Sequence, residues 1–330
     1  MTDQAFDLLL CVVIVGTALA AVAGRDLFGA VVFFIAYGVF VAIAWTRLGA
    51  IDVALAEAAI GAGLTGVLLV GATARLQRLA PARSALQSKS PQSGPPQPGP
   101  GEPKAAGRLG HALTALACAG VAGLLGAAVL AMDPAGAGLT PQVAENLQAA
   151  GVGNPVTAVL LNFRAYDTLL ESIVLLVALV GVWSVTQDGA WGQAPGLRQH
   201  VRSDGVLATF GRFLPPVGLT VGIYLVWTGA EQPGGAFQGG TVLAAVWLLV
   251  AMAGLAEAPR VGSRRLRLAL VAGPAVFLGL GAAGALAGTF LGFPEAQAKT
   301  LILAVEAALT LSIAVTLALL VVGPPQGRPA

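Results

Sequence analysis

Apolar residues run in long blocks along this chain, each broken by a short cluster of glycine, proline or charged residues. Blocks at 6–24, 27–46, 51–73, 110–131, 167–186, 206–228, 236–255, 266–290 and 299–322 approach or exceed the length needed to cross a membrane. A helix rising 1.5 Å per residue needs about 20 residues to span ~30 Å of hydrocarbon. The pattern predicts an all-α polytopic membrane protein with about nine transmembrane helices. The widest break, 84–107, reads SALQSKSPQSGPPQPGPGEPKAAG. It holds too little apolar surface to offset its ordering entropy and is expected to be a disordered tether. Five segments follow: a three-helix module at 1–75 with an acidic third helix, a Pro/Gly-rich linker at 76–108, and a two-helix module at 109–188 with an Arg/Asp/Glu face. A loop at 189–205 and a four-helix module at 206–330 complete the chain.

Composition removes the soluble alternatives. Hydrophobic residues make up 56% of the chain and charged residues only 10%, with a mean hydropathy of +0.82, whereas soluble domains carry roughly 25% charge. Cys11 and Cys118 lie in apolar runs without a CxxC spacing, so they read as small buried hydrophobes and not as a disulfide or metal pair. His111 and His200 sit at the edges of predicted helices and form no HExxH pair. No metal site and no cofactor is therefore expected. Asp3 and Asp7 stand where a cleavable signal peptide would need positive charge, so the first helix is expected to be retained.

Basic residues set the orientation, because Lys and Arg concentrate in cytoplasmic loops. Numbering the nine blocks in order, one side collects 15 of the Lys and Arg residues and the other only Arg47, Arg164 and Lys299. An outside N-terminus and a cytoplasmic C-terminus follow. The basic loops are short, scattered and accounted for by topology, so no nucleic-acid partner is implied.

Ionisable residues inside the blocks are few, and such groups cost about 2.5–3.5 kcal/mol at a helix centre on insertion scales. The third block places Asp52 at its outer boundary and Glu57 about 7–8 Å deeper, among small residues such as Ala54, Ala58 and Gly61. In the fifth, Arg164, Asp167 and Glu171 share one helix face at i, i+3 and i+7, with Glu171 deepest and placed to exchange protons. The last block repeats the arrangement with Lys299, Glu306 and Thr310. These acids either carry an ion or serve as hydrogen-bonded glue between helices. Between the sixth and seventh blocks, Pro233, Gly234, Gly235, Gly239 and Gly240, with Phe237 among them, predict a tight turn that dips into the bilayer, with Glu231 interfacial. Pro274 is expected to kink the eighth span, and Gly284 with Gly288 to form a GxxxG packing face.

Three of these segments resemble a known set. IDVALAEAAIGAGLTGVLL resembles the acid-bearing helix of a small membrane subunit that recurs at the C-terminal end of the large A-type chain of Mrp-type sodium/proton antiporters and in membrane-bound hydrogenases. NFRAYDTLLESIVLLVALVGV resembles the adjoining module of the same families, and YLVWTGAEQPGGAFQGGTVLAAV is similar to the glycine-rich signature of the antiporter's B-type chain. The B-type pattern usually carries a histidine shortly before Pro-Gly-Gly; here Ala230, Glu231 and Gln232 fill that stretch, and Ala236 stands at the third glycine. The resemblance implies a non-enzymatic subunit of a Na⁺/H⁺ antiporter complex in the inner cell membrane, working beside other membrane subunits. It also implies that Glu57 and Glu171 belong to the ion path. Arg164 and Asp167 would tune that path, and Asp52 and Lys299 would shape its entrance. A membrane-arm component of a hydrogenase or respiratory-type complex, and a structural scaffold, are the competing readings.

Overall fold

The computed structural model describes residues 2–89, 108–132, 136, 138–196 and 205–325. His200 and residues 90–107 of the Pro-rich segment lie outside the described residues. Among those described, the chain is helical, with no strand and one isolated bridge between Pro195 and Pro325. Eight helices among the described residues are long and apolar enough to cross a membrane. The predicted seventh span is a shorter helix of 17 residues, Ala236–Met252, or about 25 Å. The chain divides into two units, residues 76–142 and the remainder.

The larger unit opens with α1 (Thr2–Ala23) and α2 (Leu27–Arg47). Asp26 caps α2 by accepting the Gly29 amide at 2.6 Å. Arg47, at the end of α2, reaches back to Asp7 of α1 at 2.8 Å. The third span is a single helical run whose hydrogen-bond spacing changes midway. It begins as α3 (Ile51–Ala56), widens to a π-helix over Glu57–Leu64, and resumes as α4 (Thr65–Lys89). Helix α4 therefore carries six residues of the predicted tether, 84–89. The other unit contains α5 (Arg108–Leu130), an apolar helix with none of its span buried. Cys118 on α5 and Cys11 on α1 are exposed within this chain, contrary to the expectation of buried thiols. A membrane-facing helix buries its apolar side in lipid or a neighbouring subunit, so hydrophobic character alone does not mark the interior.

After α6 (Thr140–Asn146), the fifth span is α7 (Pro155–Ala158), a π segment Val159–Phe163, a break at Arg164, and α8 (Ala165–Ser184). Arg164 leaves the helical region at φ −129°, ψ 36°, and the Thr168 hydroxyl donates to the Leu160 carbonyl at 2.6 Å. The remaining spans are α9 (Val206–Thr228), α10 (Ala236–Met252), α11 (Arg264–Leu286) and α12 (Ala298–Val322). Helix α12 is the hub, packing against α8, α9, α10 and α11, with 61% of its span buried.

Glycines set how closely α12 is approached. A Cβ on Gly240 of α10 would lie 2.8 Å from Ile313, and one on Gly273 of α11 would lie 2.9 Å from the Leu309 Cα and 2.6 Å from the Ser312 hydroxyl. The predicted Gly284/Gly288 face does not form, because Gly288 lies beyond the end of α11 with φ +98° and open space around it. Gly273 and Gly240 supply the close contacts instead. Gly273→Ala gains about 1 kcal/mol of helix propensity, but the added methyl meets backbone that cannot rotate away, and overpacking costs about 1–3 kcal/mol. Net destabilisation is expected, read as a lower midpoint of thermal unfolding in detergent. An unchanged or raised midpoint would show that α11 and α12 are not packed this closely.

Within the larger unit, the loops that contact one another fall into two groups, one at each end of the bundle. At one end the Val261 amide donates to Gln193 at 3.1 Å and the Gly196 amide to Pro324 at 3.3 Å. Asp52, residues 150–154, the turn after α9 and Lys299 meet at the other.

Candidate ion site at the glycine-rich turn

The chain leaves α9 at Gly229 and re-enters a helix at Ala236. Gly234 and Gly235, at φ +157° and +118°, take backbone angles that side-chain-bearing residues avoid. Phe237, Gly239 and Gly240, expected in the turn, are instead in the opening turns of α10. Once the chain turns at 233–235, a glycine in the following helix serves packing: Gly239 faces Val226 and the Gly222 carbonyl of α9, and Gly240 faces α12.

A turn buried in a membrane protein needs partners for its free backbone groups. Asn154 supplies most of them. Its side-chain oxygen caps α7 by accepting the Val156 amide at 2.9 Å, which leaves Nδ2 to donate to Gln232 O at 3.0 Å and Gly229 O at 3.2 Å. The amides of Gly153 and Asn154 donate to Ala230 O at 2.9 and 3.0 Å, and the Thr157 hydroxyl to Gly229 O at 2.6 Å. From the other side, Asp52 accepts the Gly234 amide at 3.0 Å and lies 3.4–3.5 Å from Asn154 Nδ2. Asp52 is 8% exposed, so it is built into the turn's support at that end of the bundle. Gln238 Nε2 donates to the Asp52 carbonyl at 3.3 Å. Glu231 stands at the exposed tip and accepts from Lys299 at 2.6 Å.

Glu306 lies beneath this turn on α12. It is 2% exposed and has no partner for Oε2. Thr310, expected to join it in a ladder, instead donates to the Glu306 backbone carbonyl at 2.7 Å.

The other acids stand elsewhere. Glu57 opens the π segment of the third span, and a Cβ on Gly61 would collide with its carboxyl group. The Glu57 side chain therefore lies folded over Gly61, partly buried. Arg164 and Asp167 are paired at 2.5 Å, with their side chains 69% and 49% exposed. Glu171 is on the same outward face, while the opposite face of α8, with Ala165, Thr168, Leu169 and Ser172, is buried. No hydrogen bond joins any two of Glu57, Glu171 and Glu306 among the described residues.

Sequence reasoning missed Asn154, Thr157 and Gln238. An Asn-Pro pair at 154–155 is a visible helix-start signal, but nothing local shows that its amide reaches a loop 75 residues away.

Comparison with known proteins fits this geometry. The MbhD family model, which describes the D component of MBH, matches residues 12–78. The domain related to the MnhB subunit of Na⁺/H⁺ antiporter matches residues 206–324, which include the turn and Glu306. The two matched segments are separate, one near the start of the chain and one near its end. A chain in the structure of the Mrp complex from Dietzia sp. DQ12-45-1b is 26% identical, with a TM-score of 0.67, over 97% of this chain and 35% of that one. An uncharacterized protein of Methanocaldococcus jannaschii is 31% identical over 120 residues, covering 31% of this chain and 44% of the relative. The chain thus spans less than half the length of either. With eight long apolar helices among the described residues, and its likeness to the MnhB-related domain and to part of the Mrp complex, it is a multi-pass protein of the cell membrane. The segment similar to MbhD carries Asp52 and Glu57, and the segment similar to the MnhB-related domain carries the turn that Asp52 holds.

Proposed function

We propose that this chain is a membrane subunit of a multisubunit Na⁺/H⁺ antiporter complex and contributes carboxyl groups to its ion path. The observation that carries this reading is the outward face of α8. Arg164, Asp167 and Glu171 lie exposed on a largely apolar span. Facing lipid, an acid there costs about 2.5–3.5 kcal/mol, so the face is built to meet another membrane subunit or a file of water. The likeness to part of a larger Mrp complex chain supports that partner. Glu57, softened into a π segment of the kind found at functional sites, and Glu306 under the turn provide two further carboxyls. Asp52, through the turn, and Lys299, through Glu231, shape the outer end. The chain works without catalytic chemistry of its own; the driving force is the ion gradient and membrane potential, about 2.3 kcal/mol per charge per 100 mV.

Glu57→Gln and Glu171→Gln test this in everted vesicles carrying the whole complex. Loss of the Na⁺-dependent pH response with partner subunits still co-purifying is expected. An unchanged response in both variants would leave the acids as helix glue and the chain as a scaffold. The MbhD match favours one second reading, an ion-translocating part of a redox-driven complex; co-purification of iron–sulfur proteins with this chain would select it.

A further inference from the structure

Two acceptor oxygens converge on the space at the α-carbon of Gly235. The point where a Cβ would stand lies 3.2 Å from Glu306 Oε1 and 3.5 Å from Gln238 Oε1. The Gln238 amide is oriented by its own bond: Nε2 donates to the Asp52 carbonyl, which turns Oε1 toward the gap. Glu306 Oε2 is buried beside it without a partner. Oxygens that face one another across a gap repel unless a positive centre stands between them, and a buried polar atom without a partner needs an occupant to explain it. Glycine at 235 keeps the gap open, since any side chain would fill it.

We propose that Glu306, buried, and Gln238, partly buried, with the bare α-carbon of Gly235, form an oxygen-lined site for a small monovalent cation, Na⁺ or hydronium. The charge count sets the valence. One carboxylate and one neutral amide oxygen balance a single positive charge, and the nearby Asp52 carboxyl is engaged by the Gly234 amide and Asn154. Hard cations of this kind take oxygen ligands. Asp52 holds the turn from one side and orients Gln238 through its carbonyl, so the segment similar to MbhD positions a ligand of the segment similar to the MnhB-related domain. The site deepens the antiporter reading and rests on it for its role in transport, though not for its existence.

The test is ²²Na⁺ binding to the intact complex in nanodiscs, with K⁺ replacing Na⁺ at fixed ionic strength. Glu306→Gln is expected to remove one Na⁺ per complex, and Gln238→Leu to weaken that binding by about tenfold, the scale of a lost bond to a charged group. If the cation is hydronium, Na⁺ binding stays but a pH-dependent carboxyl band in the infrared spectrum disappears in Glu306→Gln and shifts in Gln238→Leu. Unchanged Na⁺ binding together with an unchanged infrared spectrum in Gln238→Leu, which keeps the carboxyl, would overturn the site even if Glu306→Gln failed to assemble. Lost binding in a complex that still exchanges normally would keep the site and remove its part in transport. Normal binding in a complex silenced by Glu171→Gln leaves both intact.

Discussion

Glu306→Gln is expected to cut Na⁺-driven proton exchange by at least roughly tenfold, equivalent to about 1.4 kcal/mol, while the complex still assembles. The amide has almost the shape of the acid, so the contacts of a 2% exposed side chain on the central helix are kept. What is lost is the ability to release a proton and hold a cation. Glu306→Asp keeps that ability and is expected to recover part of the activity, because it withdraws the carboxyl from the turn without removing it. The measurement is dye-reported pH change on Na⁺ addition to everted vesicles, normalised to complex content. Equal exchange in Glu306→Gln and wild type would make this acid a structural part of the packing of α12 and nothing more.

Asp52→Ala is expected to be the most disruptive single change to the turn. It removes the acceptor of the Gly234 amide and the carboxylate beside Asn154 Nδ2, and each buried donor left unsatisfied costs about 1–3 kcal/mol. Asn154 keeps its carbonyl acceptors, Gly229 and Gln232, so the loss concentrates on Gly234, a residue whose backbone angle needs support. Asp52→Asn retains one acceptor oxygen and should fall between the two. Thermal unfolding of the purified complex, followed with protease sensitivity at 229–235, reads the effect. A midpoint in Asp52→Ala equal to wild type, with the turn still protected, would mean that the Asn154 side alone holds it.

Much of this architecture was legible because it rests on local signals. Apolar block length placed the spans. The break at 233–235 was readable from Pro and Gly; its extension to Gly239 and Gly240 was not, since glycine in sequence does not distinguish a turn from a helix that must pass close to Val226 and Ile313. Burial was the least legible property. Glu171 and Glu306 sit in similar apolar strings, yet one faces outward from α8 and the other lies in the core of α12. The difference is set by helix–helix packing among segments far apart in sequence. Asp52 and Gly234 are 182 residues apart, and no local pattern encodes their meeting. The two π segments were likewise invisible, because a widened helical turn answers to tertiary contacts and to side chains such as Thr65, which donates to Ile60 O at 2.9 Å.

The most direct measurement is proton flux driven by a Na⁺ gradient in proteoliposomes holding the reconstituted complex, with Glu57, Glu171 and Glu306 all changed to Gln. Flux at the level of empty liposomes, from a complex of normal subunit composition, is the predicted result. Flux equal to that of the wild-type complex would contradict the assignment of an ion path to this chain.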